Sequence, residues 1–193
     1  MRLEVLNTGY PLGIKILFRF IRLVSGFPLP DAARLGFYRP DFYGKLMKAF
    51  THESMRGSSS WSVGDRELMA VYVSKLNECK FCIGAHTETS SRAYQDKGKV
   101  ADVLSNLETA PVGEPLKSTL RMIGKLTQQH EISVKDMRSL LSAGASPSQV
   151  EDALAVCFAF NTTNRLADAF GFDMLSKKGF EAGAKYLLNR GYQ

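Results

Sequence analysis

Residues 67–86 read ELMAVYVSKLNECKFCIGAH, and this stretch decides most of what the sequence predicts. It holds Cys79 and Cys82 as a C-x-x-C pair, with His86 four residues after the pair and Glu67 twelve residues before it. On a helix that starts near the cysteines, Cys82 and His86 lie on one face, one turn apart. A neighbouring imidazole and the amide dipoles of a helix N-terminus both favour a thiolate. The pattern therefore indicates a reactive thiol at Cys82, with Cys79 spaced to form a disulfide with it.

Three interpretations of the cysteine pair remain open from spacing alone. The first is redox catalysis, and the second is purely structural cysteines. The third is a zinc site in which Cys79, Cys82 and His86 are joined by Glu67 or Cys157. A c-type haem site is excluded because an isoleucine, not a histidine, follows the pair. A thioredoxin fold is disfavoured because the flanks of the pair are helical in pattern. By itself, the glutamate could be an exposed first-turn residue favoured by the helix dipole.

Outward from this stretch, helix signals recur and no segment reads as a strand. Ser62 with Asp65, and Ser133 with Asp136, have the spacing of a capping box. Prolines at helix starts and glycines at helix ends supply further boundaries. The predicted helices cover residues 11–24, 40–55, 63–77, 80–96, 99–107, a segment from Pro115, a segment from Ser133, 147–169 and 173–190, with Gly98 and Gly171 as stops and an irregular connection through Gly26, Pro28 and Pro30. The prediction is an all-α protein of eight or nine helices.

The composition is that of an ordinary globular domain. The chain has 193 residues, 45% hydrophobic and 23% charged, and 25 Lys+Arg against 19 Asp+Glu give a net charge of +6. This length fits one core with an added arm, which we place as an N-terminal helical extension over 1–60 and a core domain over 61–193. Three cysteines are no disulfide framework, so we expect a reducing, cytoplasmic location. The positive charge is dispersed, and we expect no nucleic acid partner.

The segment 11–24 is apolar but carries Lys15, Arg19 and Arg22 at intervals of three or four residues. These charges exclude a membrane-spanning helix and a signal peptide. We expect an amphipathic helix that docks its apolar face on the core or on another subunit, in preference to lying on a membrane surface.

Several other residues invite a structural interpretation. Asn161, Asn164 and Asp168 share one helix face, which predicts hydrogen bonds between helices or subunits, with pocket lining as the alternative. Cys157 is expected to be a buried core residue. His52 and His130 are expected at the surface or at an interface. An aromatic group is expected to pack in the core or between subunits, with a hydrophobic substrate pocket as the alternative, and it comprises Phe37, Tyr38, Phe42, Tyr43 and Phe50.

The stretch DRELMAVYVSKLNECKFCIGAH, residues 65–86, resembles the core motif of the alkylhydroperoxidase D-like branch of the carboxymuconolactone decarboxylase superfamily. The phrase NRLADAFGF, residues 164–172, is similar to a helix of its peroxidase-related members. The resemblance implies an alkylhydroperoxidase D-like helical bundle. It also implies a site for peroxide reduction in which Glu67 and His86 relay protons, Cys82 attacks the peroxide and Cys79 resolves the product.

The chain departs from that family in one position of the motif. The best-studied branch has a histidine between the two cysteines, where this chain has Lys80 and Phe81. The decarboxylases of the superfamily lack the cysteine pair, so its presence argues against lactone chemistry.

The function predicted from the sequence is therefore a thiol-dependent peroxidase or dithiol–disulfide oxidoreductase. We expect a hydroperoxide substrate, an external dithiol reductant and no cofactor or metal. The family resemblance implies a homo-oligomer, a trimer or a hexamer. The alternative is a non-catalytic interaction or metal-binding module with the same fold.

Overall fold

The computed structural model describes residues 4–192, apart from the side chain of Phe42. Within that range the chain forms eleven α-helices and one π-helical turn and contains no strand, which confirms the all-α prediction. The helices are α1 (Val5–Thr8), α2 (Leu12–Ser25), α3 (Asp31–Tyr38), α4 (Lys45–Arg56), α5 (Val63–Leu76), α6 (Lys80–Tyr94), α7 (Lys97–Ser105), α8 (Glu114–Gln129), α9 (Val134–Ser142), α10 (Pro147–Phe170) and α11 (Lys177–Arg190), with the π-helical turn Pro40–Gly44 before α4.

Helices α5 and α6 form a tightly packed hairpin at the centre of the molecule. The predicted capping box starts α5: Ser62 Oγ accepts the Asp65 N–H at 3.1 Å, and the Asp65 carboxylate accepts the Ser62 N–H at 3.0 Å. The chain turns between the helices through Glu78, whose φ of 58° is uncommon for a residue with a side chain. Cys79 then occupies the N-cap of α6. The hairpin therefore presents the cysteine pair at a helix N-terminus.

Helix α10 closes the main core by packing against α4, α5 and α8. Its start at Pro147, behind a capping box of Ser146 and Gln149, and its end at Gly171, with φ 62°, are as predicted. The core contains fully buried large side chains from α4, α5, α8 and α10, and burial of each contributes about 1.5–3 kcal/mol. They include Met55, Leu68, Met69, Leu120, Ile123 and Phe160. Met55 lies in α4, so a helix before residue 60 takes part in this core; the domain boundary itself stays a prediction.

The structure corrects two predicted helix boundaries and one predicted connection. The stop predicted at Gly98 is wrong, because α6 ends at Gln95 in a left-handed conformation and Gly98 lies inside α7. Asp96 caps the start of α7 by accepting the Lys99 N–H at 3.0 Å. The prediction used Gly98 as the boundary and therefore missed this aspartate cap. The last helix starts at Lys177 behind the cap Ser176, not near residue 173.

The third correction concerns the connection predicted as irregular, which contains α3. Its first residue, Asp31, is buried, and the Asp31 carboxylate accepts the N–H of Asp173 at 2.9 Å. This long-range bond ties α3 to the segment that follows α10, next to the cysteines. Short α1 was also not predicted, and the two additional helices explain why eleven are found instead of eight or nine.

Helix α2 has two apolar faces. Phe18 on the inner face packs between Tyr10 and Phe37, with ring centroids 4.9 and 5.4 Å away, and the Arg34 guanidinium lies 5.5 Å from the Phe18 ring. The outer face is exposed and comprises Leu12, Ile16, Leu17, Phe20, Leu23 and Val24. No helix among residues 4–192 is long and apolar enough to cross a bilayer.

Helix α11 lies directly on α6. At Gly84 of α6, an added Cβ would lie 2.7 Å from the ring of Phe180, so only glycine permits this approach. The contact brings the last residues of the described chain next to the hairpin that carries the predicted site.

Candidate active site

The Glu67 carboxylate is fully buried and accepts three hydrogen bonds. Arg56 Nη2 donates to Oε1 at 2.6 Å, and the Tyr192 hydroxyl donates to the same oxygen at 2.9 Å. Oε2 lies 2.7 Å from His86 Nδ1. Four segments of the chain, α4, α5, α6 and the end of the described chain, therefore meet at one carboxylate, and the structure does not place it as an exposed first-turn glutamate.

Glu67 is held ionised despite its burial. Burial raises the pKa of a carboxyl group, but the hydrogen bond and charge of His86, together with Arg56, outweigh it and hold the pKa of Glu67 below its usual value. Because an ionised carboxylate only accepts hydrogen bonds, Nδ1 of His86 is the donor. That leaves Nε2 of the His86 ring for proton transfer on its other side.

His86 is buried, with 6% of its surface exposed. Its ring meets the Phe160 ring edge-on at 4.5 Å and lies nearly parallel to the Tyr192 ring at 6.3 Å. The i,i+4 spacing places His86 one turn beyond Cys82 on α6, as the sequence predicts. No direct hydrogen bond joins His86 to a thiol among the contacts of residues 4–192, so a proton would pass between them by a small movement or through water.

The Cys79 and Cys82 thiols are free, and each is 1% exposed. They lie in a small apolar cluster with Phe81 and Ala167, against which Phe172 packs. The two sulfurs are close enough to share a hydrogen bond. The hydrogen bond from the Cys82 thiol lowers the pKa of Cys79, whereas giving that bond and being buried raise the pKa of Cys82 well above its usual value.

Of the two thiols, Cys79 is therefore the easier to ionise. This difference could not be predicted from spacing, since only Cys82 has the i,i+4 histidine. Because the two sulfurs share a hydrogen bond, ionisation of one thiol affects ionisation of the other.

The polar face of α10 divides into two parts. Asn161 accepts from Asn77 at 3.0 Å, and Asn164 accepts from Ser74 at 3.1 Å, which are the predicted contacts between helices. Asp168 is different, because its exposed carboxylate lies beside the cysteines, where it hydrogen-bonds Cys79 and opposes ionisation of both thiols. One of the three residues therefore lines the site.

Cys157 lies in the main core, as predicted, 3.6 Å from the Thr127 hydroxyl. It is therefore separate from the other two cysteines and is not the fourth member of a ligand set with them. Among the described residues, no three His, Cys, Asp or Glu side chains are arranged to hold a metal ion.

Four residues near the site were not assigned to it from the sequence. Arg56 and Tyr192 contact Glu67, and His52 contacts the Tyr192 backbone. Tyr43 lies near Cys82, in an environment where burial raises the pKa of the phenol. None of these residues has a local sequence signal, because each reaches the site through the packing of a separate segment.

The other aromatic and histidine predictions have varied outcomes. Phe37 packs against Phe18, and Phe50 packs edge-on against the exposed Phe158 with ring centroids 5.2 Å apart. His130 is exposed at the end of α8, whereas His52 is half-buried. The side chain of Phe42 lies outside the described part of the chain.

Arg56 allows a stability prediction, because it is the cation beside the buried carboxylate. Replacing Arg56 with methionine is expected to lower the free energy of unfolding by about 3 kcal/mol, since it leaves Glu67 short of compensation. Denaturant unfolding measures this. Arg121→Met is the control, because Arg121 and its partners Glu108 and Glu114 are solvent-exposed, and such pairs contribute about 0–1 kcal/mol. Equal losses for the two variants would show that Arg56 does not compensate the buried charge.

An all-helical core presents a C-x-x-C pair beside a buried glutamate and a histidine, and this fold is shared with solved alkylhydroperoxidase-related structures. Residues 41–122 match the carboxymuconolactone decarboxylase family. This match agrees with the family that the core motif resembles.

Solved structures share the fold over nearly the whole chain. An uncharacterized peroxidase-related protein from Silicibacter sp. TM1040 aligns with 24% identity and a TM-score of 0.76, covering 92% of each chain. The alkylhydroperoxidase AhpD core protein from Ralstonia eutropha JMP134, also an uncharacterized peroxidase-related protein, aligns with 21% identity and a TM-score of 0.74, covering 90% of this chain and 91% of that one. The apo debrominase Bmp8 aligns with 16% identity and a TM-score of 0.63, covering 93% and 97%. No curated protein matches the sequence.

Proposed function

We propose that the protein is a thiol-dependent peroxidase that reduces hydroperoxides through the Cys79–Cys82 pair. The observation that carries the proposal is the buried ionised Glu67, bonded to His86, which lies one helical turn from Cys82 and its neighbour Cys79. This arrangement supplies a nucleophile and a proton relay without a cofactor. The peroxidase-related neighbours and the superfamily support the same class of chemistry.

The first step is attack on the peroxide by Cys82, the thiol nearer to His86 in sequence. His86 accepts the proton of Cys82 at Nε2, and the Cys82 thiolate attacks the terminal oxygen of R–O–OH. The O–O bond breaks, Cys82 becomes a sulfenic acid and the leaving group is an alkoxide. His86, held by Glu67, delivers the proton that turns the alkoxide into an alcohol.

The second step is formation of the disulfide. Cys79 attacks the Cys82 sulfenic acid, an S–S bond forms, the S–O bond breaks, and the hydroxyl leaves as water with the proton of the Cys79 thiol. An external dithiol then reduces the disulfide by thiol–disulfide exchange and is itself oxidised. Such a cycle requires a reducing compartment, which fits the three free thiols and our proposal of a cytoplasmic location.

A single-turnover experiment tests this function. Reduced protein is mixed with tert-butyl hydroperoxide in the absence of reductant, and the alcohol product and the protein mass are followed. We expect one alcohol per protein, the loss of two hydrogens from the peptide that contains Cys79 and Cys82, and an unchanged Cys157. Intact thiols in the presence of excess peroxide, with stoichiometric zinc found by metal analysis, would instead support the metal-binding module.

We also propose that the protein is a homo-oligomer. The outer face of α2 exposes Ile16 by 57%, Phe20 by 60% and Leu23 by 82%, and α10 exposes Phe158 by 60%. Contiguous apolar surface of this kind is uncommon on a monomer. A second copy of the chain, covering α2 and α10, accounts for both faces.

Light scattering is expected to give a mass that is a multiple of 21.4 kDa. The double variant Ile16→Gln/Phe20→Gln is expected to lower that mass, whereas Val134→Gln, which changes an equally exposed apolar residue of α9, is expected to leave it unchanged. A monomeric wild-type protein contradicts the proposal. An unchanged mass in the double variant removes α2 from the interface.

A further inference from the structure

The chain makes a specific turn after α11 that directs Tyr192 into the site. Gly191 has φ 68°, a left-handed value, and an added Cβ there would lie 2.6 Å from the His52 ring. Past this turn, the Tyr192 N–H donates to His52 Nδ1 at 3.2 Å. The guanidinium of Arg56 donates to the Leu187 carbonyl at 3.1 Å, which holds the last turn of α11 on α4. The turn is therefore fixed on both sides.

The side chain of Tyr192 contacts Glu67, His86 and Arg56. Its hydroxyl donates to Glu67 Oε1 and lies 3.5 Å from His86 Nδ1. Its ring lies under the Arg56 guanidinium at 5.1 Å and is nearly parallel to the His86 ring. No part of the peroxidase cycle described above uses these contacts.

We propose that Tyr192, held by the Gly191 turn and by His52, is a positioning residue that fixes the Glu67 carboxylate for its bond to His86. The proposal deepens the peroxidase function and rests on it. Tyr192 and Arg56 both donate to Oε1, so the carboxylate cannot rotate without losing two bonds, and Oε2 is kept for the imidazole. The hydroxyl is a lasting donor because burial, followed by the charge of Glu67, raises the pKa of Tyr192 well above its usual value.

The variant Tyr192→Phe keeps the ring and removes the donor. The charged and titratable groups that face Glu67 are Arg56 of α4, Arg66 of α5, His86 of α6 and Tyr192 itself, and only the last changes. We expect the reaction of the thiols with iodoacetamide at pH 7 to slow about tenfold, as the loss of a hydrogen bond to a charged group does.

We also expect the pH midpoint of this alkylation to rise, because a mobile carboxylate no longer holds the imidazole where it can accept a thiol proton. Tyr94→Phe is the matched control, since Tyr94 donates to the Asp65 carboxylate at 2.5 Å, away from the relay. It removes the same atom from the same kind of bond, and we expect it to leave the midpoint unchanged. A midpoint that stays or falls in Tyr192→Phe, or that rises equally in both variants, overturns the proposal.

The second variant, Gly191→Ala, leaves the tyrosine in place but blocks the turn. Because the change lies after the last helix, the core is expected to fold, and the alkylation profile is expected to move as in Tyr192→Phe. A wild-type profile in Gly191→Ala contradicts the role of the turn.

Alkylation needs no peroxide, so its outcome is separate from that of the peroxidase assay. If Glu67→Gln alters alkylation and Tyr192→Phe does not, the positioning role fails and the relay stands. If both alter alkylation but no hydroperoxide is reduced, the peroxidase function fails and the positioning role stands.

Discussion

Cys82→Ser is expected to abolish hydroperoxide reduction, whereas Cys79→Ser is expected to undergo one oxidation and stop at the sulfenic acid. The reason is the position of the two sulfurs on α6: Cys82 is one turn from His86, while Cys79, at the N-cap, is nearly two turns away. A dimedone probe followed by peptide mass spectrometry measures the result. We expect the label on Cys82 of the Cys79→Ser protein and no label on the Cys82→Ser protein.

Cys157→Ser serves as the control, because this thiol is buried in the main core and is expected to play no part in turnover. The alternative is that Cys79 attacks the peroxide and Cys82 resolves the product, because Cys79 has the lower pKa of the two thiols. If Cys82→Ser is labelled on Cys79 and Cys79→Ser is not labelled on Cys82, the roles of the two cysteines are reversed.

Glu67→Gln is expected to slow oxidation of the thiols by about 10²- to 10⁴-fold, the usual contribution of general acid–base catalysis. Glutamine fills the same space but lacks the negative charge that orients the His86 imidazole for proton transfer. The measurement is the rate of thiol loss with hydroperoxide from pH 6 to 8, with thermal unfolding to show that the variant is folded.

Glu108→Gln is the matched control for this variant. Glu108 also bonds an arginine, Arg121, but it is exposed and lies on the surface away from the cysteines, so its rate should equal that of the wild type. A rate in Glu67→Gln that is unchanged over the whole pH range would return Glu67 to a structural role beside Arg56.

The parts of the fold that the sequence predicted well are those fixed by nearby residues. A capping box joins residues three apart, so Ser62, Ser133 and Ser146 mark their helices correctly from sequence alone. The same holds for Cys82 and His86, whose relation is set by one turn of helix. The fold follows from these local signals and from the family motif.

The parts that the sequence did not predict depend on contacts between distant segments. Arg56 and Tyr192 reach Glu67 from positions 11 and 125 residues away, and no spacing rule covers such distances. The short helix α3 is stabilised by the bond between Asp31 and Asp173, 142 residues apart. The contact of His52 with the Tyr192 backbone also joins distant segments, so the sequence did not predict it.

In the proposed cycle, the closeness of the two thiols protects the protein from irreversible oxidation by excess peroxide. In the proposed cycle, the sulfenic acid forms beside a second sulfur that is already buried with it, each 1% exposed. Well-oriented intramolecular partners react as if present at about 10⁵ M or more. A second peroxide molecule from solution competes poorly against that, so the sulfenic acid is consumed before it can be oxidised irreversibly to the sulfinic acid. The packing around α6 thus favours an enzyme that excess substrate does not inactivate.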